Sequence, residues 1–256
     1  MAAQLDAIPK ARRSPGTEHD LRAADAPLPA APPPDSVDLR RPWQPVRNQG
    51  HTTSCVGWAV AESLRWYLVE GDRLAPDQPL SPRYVWMAAK EMFQREEYPS
   101  AFLEEDGTSL KAGLQVVQKL GAALESELPW EGGLVAGPPE DFNRSVTSRR
   151  ILAYHNLGDD SIPDRSACFD DWRKWLASTG PVVVLLARDK NLDAGRLDTF
   201  DEASAEGSHA AALFGYGLDH FLLRSSWGSQ WGDGGYARMS LPYAARAVIE
   251  SYGVIV

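Results

Sequence analysis

The order of periodic patterns along the chain is the feature that most constrains its fold. Helical patterns occupy the first half, and short apolar runs bounded by Gly, Asp or Pro occupy the second half. Helices and strands that are segregated in this way are typical of an α+β protein. We therefore predict two lobes that share a core, with a functional site between the helical side and the strand side.

Four helices are predicted from caps and spacing. The first runs from Cys55 to about Glu70, with Ser54 as its N-cap and Gly71 as its end. Ser81-Pro82 opens a second helix, because proline fits the first helical position. The remaining two are a helix that starts at Ser109 and ends at Gly121 and a shorter helix over Phe169–Ala177.

The second half contains five short runs with strand character. They are Pro181–Ala187, Ala210–Tyr216, His220–Ser225, Gly235–Ser240 and Tyr252–Val256. Gly217-Leu218-Asp219 fits the tight turn of a hairpin between the second and third of these runs.

The N-terminal stretch differs in composition from the rest of the chain. Residues 1–36 are rich in Ala and Pro, and such a stretch buries too little apolar surface to form a core. We expect residues 1–36 to form a flexible arm and residues 37–256 to form one domain. With only about 35 residues before the domain, we expect no long inhibitory pro-region.

Charge and cysteine content limit the class of protein. The net charge is −9, from 26 basic and 35 acidic residues, which argues against a nucleic-acid partner. The only cysteines are Cys55 and Cys168, as expected for a reducing compartment. Met1–Arg13 lacks the apolar core of a secretory signal, and the longest apolar run, Val182–Ala187, is too short to cross a bilayer. We expect a cytoplasmic protein without a membrane partner, and delivery by a specialised secretion system stays open.

One cysteine stands where a nucleophile would be activated. Cys55 lies at the predicted start of an apolar helix, where free N–H groups and the helix dipole lower the pKa of a thiol. Gln49 precedes it by six residues, and His209 and Ser225 lie far downstream. A thiol, an imidazole base and a residue that orients the imidazole suffice for nucleophilic catalysis. For Cys55 alone, a buried small hydrophobe is the favoured interpretation.

Several separated motifs carry a family resemblance. They are Pro45-Val46-Arg47-Asn48-Gln49-Gly50 with Ser54-Cys55, Leu80-Ser81-Pro82, Asp106-Gly107-Thr108-Ser109-Leu110, Ser208-His209-Ala210 with Gly215-Tyr216-Gly217, and Ser226-Trp227-Gly228-Ser229-Gln230-Trp231-Gly232. Over residues 35–256 the chain resembles the papain-like cysteine peptidases, and two of the motifs resemble their disulfide-poor bacterial branch. The resemblance implies a papain-like fold whose C-terminal lobe is an antiparallel, barrel-like β structure.

The resemblance also implies a role for each matching residue. Cys55 would be the nucleophile, His209 the general base and then acid, and Ser225 the residue that orients the imidazole. Gln49 and the backbone N–H of Cys55 would form the oxyanion hole. Trp227 would shield the bond between His209 and Ser225 from water.

The substrate contacts follow from the same resemblance. Gly107 and Thr108 would pair with a substrate strand through backbone hydrogen bonds, and Trp231 would form an apolar wall on the leaving-group side. The resemblance implies a peptide or protein substrate and no cofactor, and no motif indicates a metal site. Neither the oligomeric state nor the side-chain specificity can be inferred.

One departure from the family keeps other functions open. Ser225 stands where the family has asparagine, and its shorter hydroxyl would hold the imidazole less firmly. The favoured interpretation is a peptidase that works through an acyl-thioester on Cys55. The alternatives are an acyl transferase or amide-forming enzyme that uses the same thioester, and a binding module that has lost activity through Ser225.

Overall fold

The structure is a computed structural model that describes residues 11–93, 107–133, 137–159, 161–162 and 164–256. Its α-helices are α1 (Cys55–Glu70), α2 (Pro82–Phe93), α3 (Leu110–Lys119), α4 (Pro139–Thr147), α5 (Phe169–Ser178), α6 (Lys190–Asp193) and α7 (Leu241–Ala247). The four predicted helices correspond to α1, α2, α3 and α5, and are confirmed. Within the described ranges, no helix is both long and apolar enough to cross a membrane.

The strands form one antiparallel sheet, and all of them except the first come from the C-terminal half of the chain. They are β1 (Val37–Asp38), β2 (Ala153–Gly158), β3 (Val182–Ala187), β4 (Ser208–Tyr216), β5 (His220–Arg224), β6 (Tyr236–Ser240) and β7 (Val248–Ile255). Their order is β2-β7-β3-β4-β5-β6, and β1 pairs with β4. All five predicted strands are confirmed, as is the turn at Gly217, whose N–H donates to the carbonyl of His220 at 2.9 Å.

The sheet is open, so the expectation of a barrel-like lobe is corrected. Among the named strands, β6 pairs only with β5 and β2 pairs only with β7, and isolated bridges join β6 to Leu197 and β2 to Arg22. Closure would require β6 to meet β2, but β6 has five residues and the chain passes directly from it into α7. The two outer strands therefore do not pair with each other.

Five of these elements were not predicted, namely β1, β2, α4, α6 and α7. For β2 and α4 the reason is that their sequences lack the usual apolar period. In β2, the buried polar residues His155 and Asn156 interrupt the apolar alternation. The α4 sequence is mostly polar and buries only Val146.

Helix α1 lies at the centre of the molecule. Its residues from Cys55 to Val69 are all buried, because α2 and α3 pack on one side and β4 packs on the other. Gly57 allows the close approach of α2, since a Cβ atom there would lie 2.4 Å from the carbonyl oxygen of Pro82. This packing fixes the N-terminal end of α1 at the boundary between helices and sheet.

The described part of the N-terminal arm, residues 11–36, lies against the domain. The N–H of Asn156 in β2 donates to the carbonyl of Leu21 at 2.7 Å, and the hydroxyl of Tyr216 in β4 donates to the carbonyl of Pro34 at 2.9 Å. The arm then continues into β1. The composition predicts flexibility, but these long-range bonds fix residues 11–36 in a defined path. A domain boundary near residue 36 remains a prediction.

Candidate active site

The thiol of Cys55 lies at the first residue of α1 and is fully buried. The backbone N–H groups of Ala210, Val56, Cys55 and Ala11 lie near its sulfur and favour the thiolate. Ser54 occupies the predicted N-cap position, but its hydroxyl pairs with that of Thr52 at 2.6 Å and does not cap the helix. The nucleophile candidate therefore faces strand β4 on one side and the N-terminal arm on the other.

The imidazole of His209 is held on β4 between two of the predicted partners. Its Nε2 atom lies 3.3 Å from the hydroxyl oxygen of Ser225, which follows β5 directly. The ring of Trp227 lies over the imidazole, with 4.1 Å between centroids and 31° between planes. His209 is fully buried and Ser225 is 4% exposed, so this pair is sheltered from water.

Burial sets the protonation of both groups. Burial raises the pKa of the Cys55 thiol to about 11, despite the N–H groups around the sulfur that favour the thiolate. Burial, together with the positive charge of Arg188, lowers the pKa of His209 to about 3. Nδ1 of His209 has no hydrogen bond to any residue that the structure describes. In this arrangement the thiol and the imidazole are both neutral near pH 7.

Gln49 is buried beside the residue that follows Ser225. Its backbone N–H donates to the carbonyl of Ser226 at 2.8 Å, and its side-chain oxygen accepts from the Ser226 hydroxyl at 2.6 Å. Its amide nitrogen donates to the carbonyl of Thr52 at 2.7 Å. A carboxamide carries two N–H donors, so one donor remains for an oxyanion.

The residues expected to contact substrate lie in the same region. Trp231 donates from Nε1 to the carbonyl of Leu192 at 2.8 Å and packs edge-on against Trp227. Gly107 and Thr108 are buried beside the start of α3. The carbonyl of Thr108 already accepts a hydrogen bond at 2.9 Å, and its donor is the N–H of Arg12.

The arm therefore occupies the space between the lobes. The Ser208 hydroxyl, adjacent to His209, donates to the carbonyl of Ala11. Arg12 pairs with Ser109 in a parallel bridge, and Ala11 is 6% exposed. The sequence pattern does not reveal this occupancy, because low apolar content shows only that a segment cannot form a core.

Other candidate groups lie outside this site. Cys168 packs in the core against β2, where a Cβ atom at Gly158 would lie 2.6 Å from its sulfur. In the described ranges, no group of three or more His, Cys, Asp or Glu side chains is placed to hold a metal ion.

Comparisons with known proteins agree with this geometry. The profile of "Papain family cysteine protease" matches residues 33–255. A cathepsin L-like proteinase of Phaedon cochleariae is 24% identical over 86% of this chain and 63% of its own length. Papain of Carica papaya is 44% identical over 31% of this chain and 22% of its own length. The chain therefore spans less than two thirds of these relatives.

Solved structures share the fold. Xylellain, a cysteine protease from Xylella fastidiosa, superposes with a TM-score of 0.77 at 19% identity, covering 98% of this chain and 96% of that one. A Carica candamarcensis cysteine protease in complex with E-64 gives a TM-score of 0.60 at 24% identity, over 87% of this chain and 98% of that one.

Proposed function

This chain belongs to the papain family of cysteine proteases, and from its site we propose that it is a cysteine endopeptidase that hydrolyses peptide bonds. The observation that carries this proposal is the contact of His209 with Ser225 and Trp227, on the strand whose Ala210 N–H reaches the Cys55 sulfur. The alternatives of acyl transfer and simple binding have no contact in the site that favours them.

The reaction follows from these positions. His209 takes the thiol proton, and the Cys55 sulfur attacks the peptide carbonyl carbon. The N–H of Cys55 and the free amide donor of Gln49 stabilise the oxyanion, whose collapse breaks the C–N bond as His209 protonates the leaving amine. Water, deprotonated by His209, then hydrolyses the thioester and restores the thiol. Ser225 holds the imidazole through Nε2, so that Nδ1 is left for these proton transfers.

We also propose that the arm holds the enzyme in a latent form. The backbone N–H of Arg12 donates to the Thr108 carbonyl, at the position where family members bind a substrate strand through backbone hydrogen bonds. Ala11 lies against Cys55 and Ser208, and burial keeps the thiol and the imidazole neutral. Substrate binding and formation of the thiolate both require the arm to leave.

The substrate residues and the two cysteines support a substrate class and a cellular location. Gly107, Thr108 and Trp231 would bind a peptide or protein substrate in an extended form. Cys55 and Cys168 are both free thiols, which supports a cytoplasmic or other reducing location. The catalytic domain would comprise residues 37–256.

An epoxide inhibitor that requires a working Cys–His pair tests the proposal. Because the arm must leave first, we expect slow labelling of the full-length chain that ends at one label per molecule, mapped to Cys55 by mass spectrometry, together with slow hydrolysis of a mixed peptide library. The Cys55→Ser variant should lose both, whereas Cys168→Ser should retain both. A label on Cys168, or a folded and reduced protein with neither label nor hydrolysis at any pH between 4 and 8, would contradict the proposed activity.

A further inference from the structure

Helix α1, which carries Cys55 at its first residue, also carries the buried carboxylate of Glu62. Glu62 is 6% exposed and lies about two helical turns after Cys55. Its Oε1 atom accepts from Arg47 at 3.0 Å from Nε and at 2.6 Å from Nη2. Its Oε2 atom accepts from Arg224 at 3.1 Å and from the side-chain amide of Gln44 at 3.0 Å.

Glu62 is charged in spite of its burial. Burial alone would raise the pKa of its carboxyl, but the charges of Arg47, Arg224 and Arg65 outweigh it and hold the pKa below the ordinary value. A buried ion cluster contributes little net stability compared with apolar side chains of similar volume. Stability alone is therefore a poor explanation for this cluster in the middle of the core.

The two arginines that bind Glu62 belong to segments of the candidate site. Arg47 lies two residues before Gln49, and its guanidinium also donates to the carbonyl of Leu80 at 2.9 Å and packs over the ring of Trp58 at 4.7 Å. Its position is therefore fixed on several sides.

Arg224 immediately precedes Ser225 at the end of β5. Its guanidinium donates to the carbonyls of Gln44 at 3.0 Å and Pro45 at 3.1 Å, and to the hydroxyl of Tyr236 at 2.5 Å. One carboxylate on α1 thus joins the segment with the oxyanion donor to the segment that orients the imidazole.

We propose that Glu62 is a positioning residue for the reaction, because its carboxylate fixes the segments that carry Gln49 and Ser225 relative to the helix that carries Cys55. The inference rests on the proposed function, since it concerns the geometry of the same reaction. Displacements of about 1 Å in such groups can reduce turnover about 100-fold.

The test compares Glu62→Gln with Glu70→Gln in the full-length chain, so that the arm affects parent and variants alike. Glu70 is a matched control, because it also lies on α1 and accepts two hydrogen bonds from one arginine, Arg41, but lies at the opposite end of the helix from Cys55. We expect kcat per epoxide-titrated site to fall by about 10–100-fold in Glu62→Gln, with KM changed less than about threefold, and both constants to be unchanged in Glu70→Gln. A purely structural role would lower the titrated fraction and Tm but leave kcat per titrated site intact.

Conservative variants of Arg47 and Arg224 test the Gln49 segment and the Ser225 segment one at a time. Arg47→Lys should slow peptide turnover and leave alkylation of Cys55 by iodoacetamide unchanged, because alkylation needs no oxyanion hole. Arg224→Lys should change the pH profile of alkylation as well, because it acts on the segment that orients His209. These variants keep their charge and remain informative even if Glu62→Gln does not fold.

A double variant distinguishes two effects of Glu62→Gln, namely the loss of positioning and the excess positive charge left in the core. Arg65 lies 4.0 Å from the Glu62 carboxylate and binds the carbonyls of Trp43 and Pro76. Glu62→Gln with Arg65→Met should recover part of the Tm lost in Glu62→Gln, but not kcat. The inference is overturned if the parent cleaves peptides and Glu62→Gln, Arg47→Lys and Arg224→Lys all retain its kcat per titrated site. A parent that neither labels nor cleaves would instead refute the proposed function.

Discussion

Release of the arm should expose the Cys55 thiol, and one arm residue offers a way to cause it. Asp20 is almost fully buried and pairs with the ammonium of Lys111 at 2.5 Å and with the hydroxyl of Tyr252 at 3.3 Å. Asp20→Lys replaces this pair with two like charges. A hydrogen bond to a charged group is worth about 1.5–3 kcal/mol, so the population of the released arm should rise about 10–100-fold.

The expected change in the alkylation rate follows from the change in the pKa of the Cys55 thiol. With the arm in place, the pKa of the thiol is about 11, compared with an ordinary value of 9.0. A return to the ordinary value raises the thiolate fraction at pH 7 by about 100-fold, because each pH unit below the pKa is a factor of ten. A thiolate–imidazolium pair with His209 would raise it further.

The assay is the rate of iodoacetamide alkylation of Cys55 in a Cys168→Ser background, measured from pH 5 to 10. We expect Asp20→Lys to react at least about 10-fold faster than the parent at pH 7. Glu18→Lys is the matched control, because it makes the same charge change on the arm at a side chain that is 67% exposed. Equal rates in the parent and Asp20→Lys, with both proteins folded, would refute the view that the arm covers the thiol.

Three further predictions concern pH and single residues. Acid should favour arm release, because the pKa of His209 is lowered to about 3 in the closed form from an ordinary 6.5. Protonation of His209 therefore does not destabilise the closed form above pH 6.5, and destabilises it increasingly as the pH falls below 6.5. The rate of Cys55 alkylation per thiolate would report this change. Gln49→Ala should slow peptide turnover by about 10²–10³-fold and leave alkylation unchanged, and unchanged turnover would make Gln49 structural. Ser225→Ala should reduce turnover and Ser225→Asn should keep or raise it, since the imidazole N–H needs an acceptor in this sheltered site. Equal single-turnover cleavage in all three proteins would show that another group orients His209.

The elements with local signals were predictable from the sequence. Helices α2 and α3 begin at serine or proline caps, and the hydroxyl of Ser109 accepts from the N–H of Ala112 as a cap should. The pairing order of the strands depends on contacts between distant segments, so neither the open sheet nor β2 could be read from short patterns. In β2, the amide of Asn156 bonds Asp159 at 2.7 Å, which explains a buried polar residue that breaks the alternation.

The candidate site was predictable where residue type and spacing carry the chemistry. Cys55, His209, Gln49 and Ser225 were identified from motifs, and the structure brings their segments together. The position of the arm was not predictable, because it depends on pairs such as Asp20 with Lys111 that lie far apart in the sequence. The same is true of Glu62, which is one of three charged residues in a mostly apolar helix.

The segment from Arg224 to Trp227 connects the two lobes through alternate residues. Arg224 and Ser226 reach towards the helical side, where they bind Glu62 and Gln49. Ser225 and Trp227 point the opposite way and contact the imidazole of His209. Successive side chains of an extended chain point to opposite sides, so four consecutive residues can serve both lobes at once. A serine can then replace a longer side chain next to the imidazole, because the bonds on either side of it already fix the backbone that carries it.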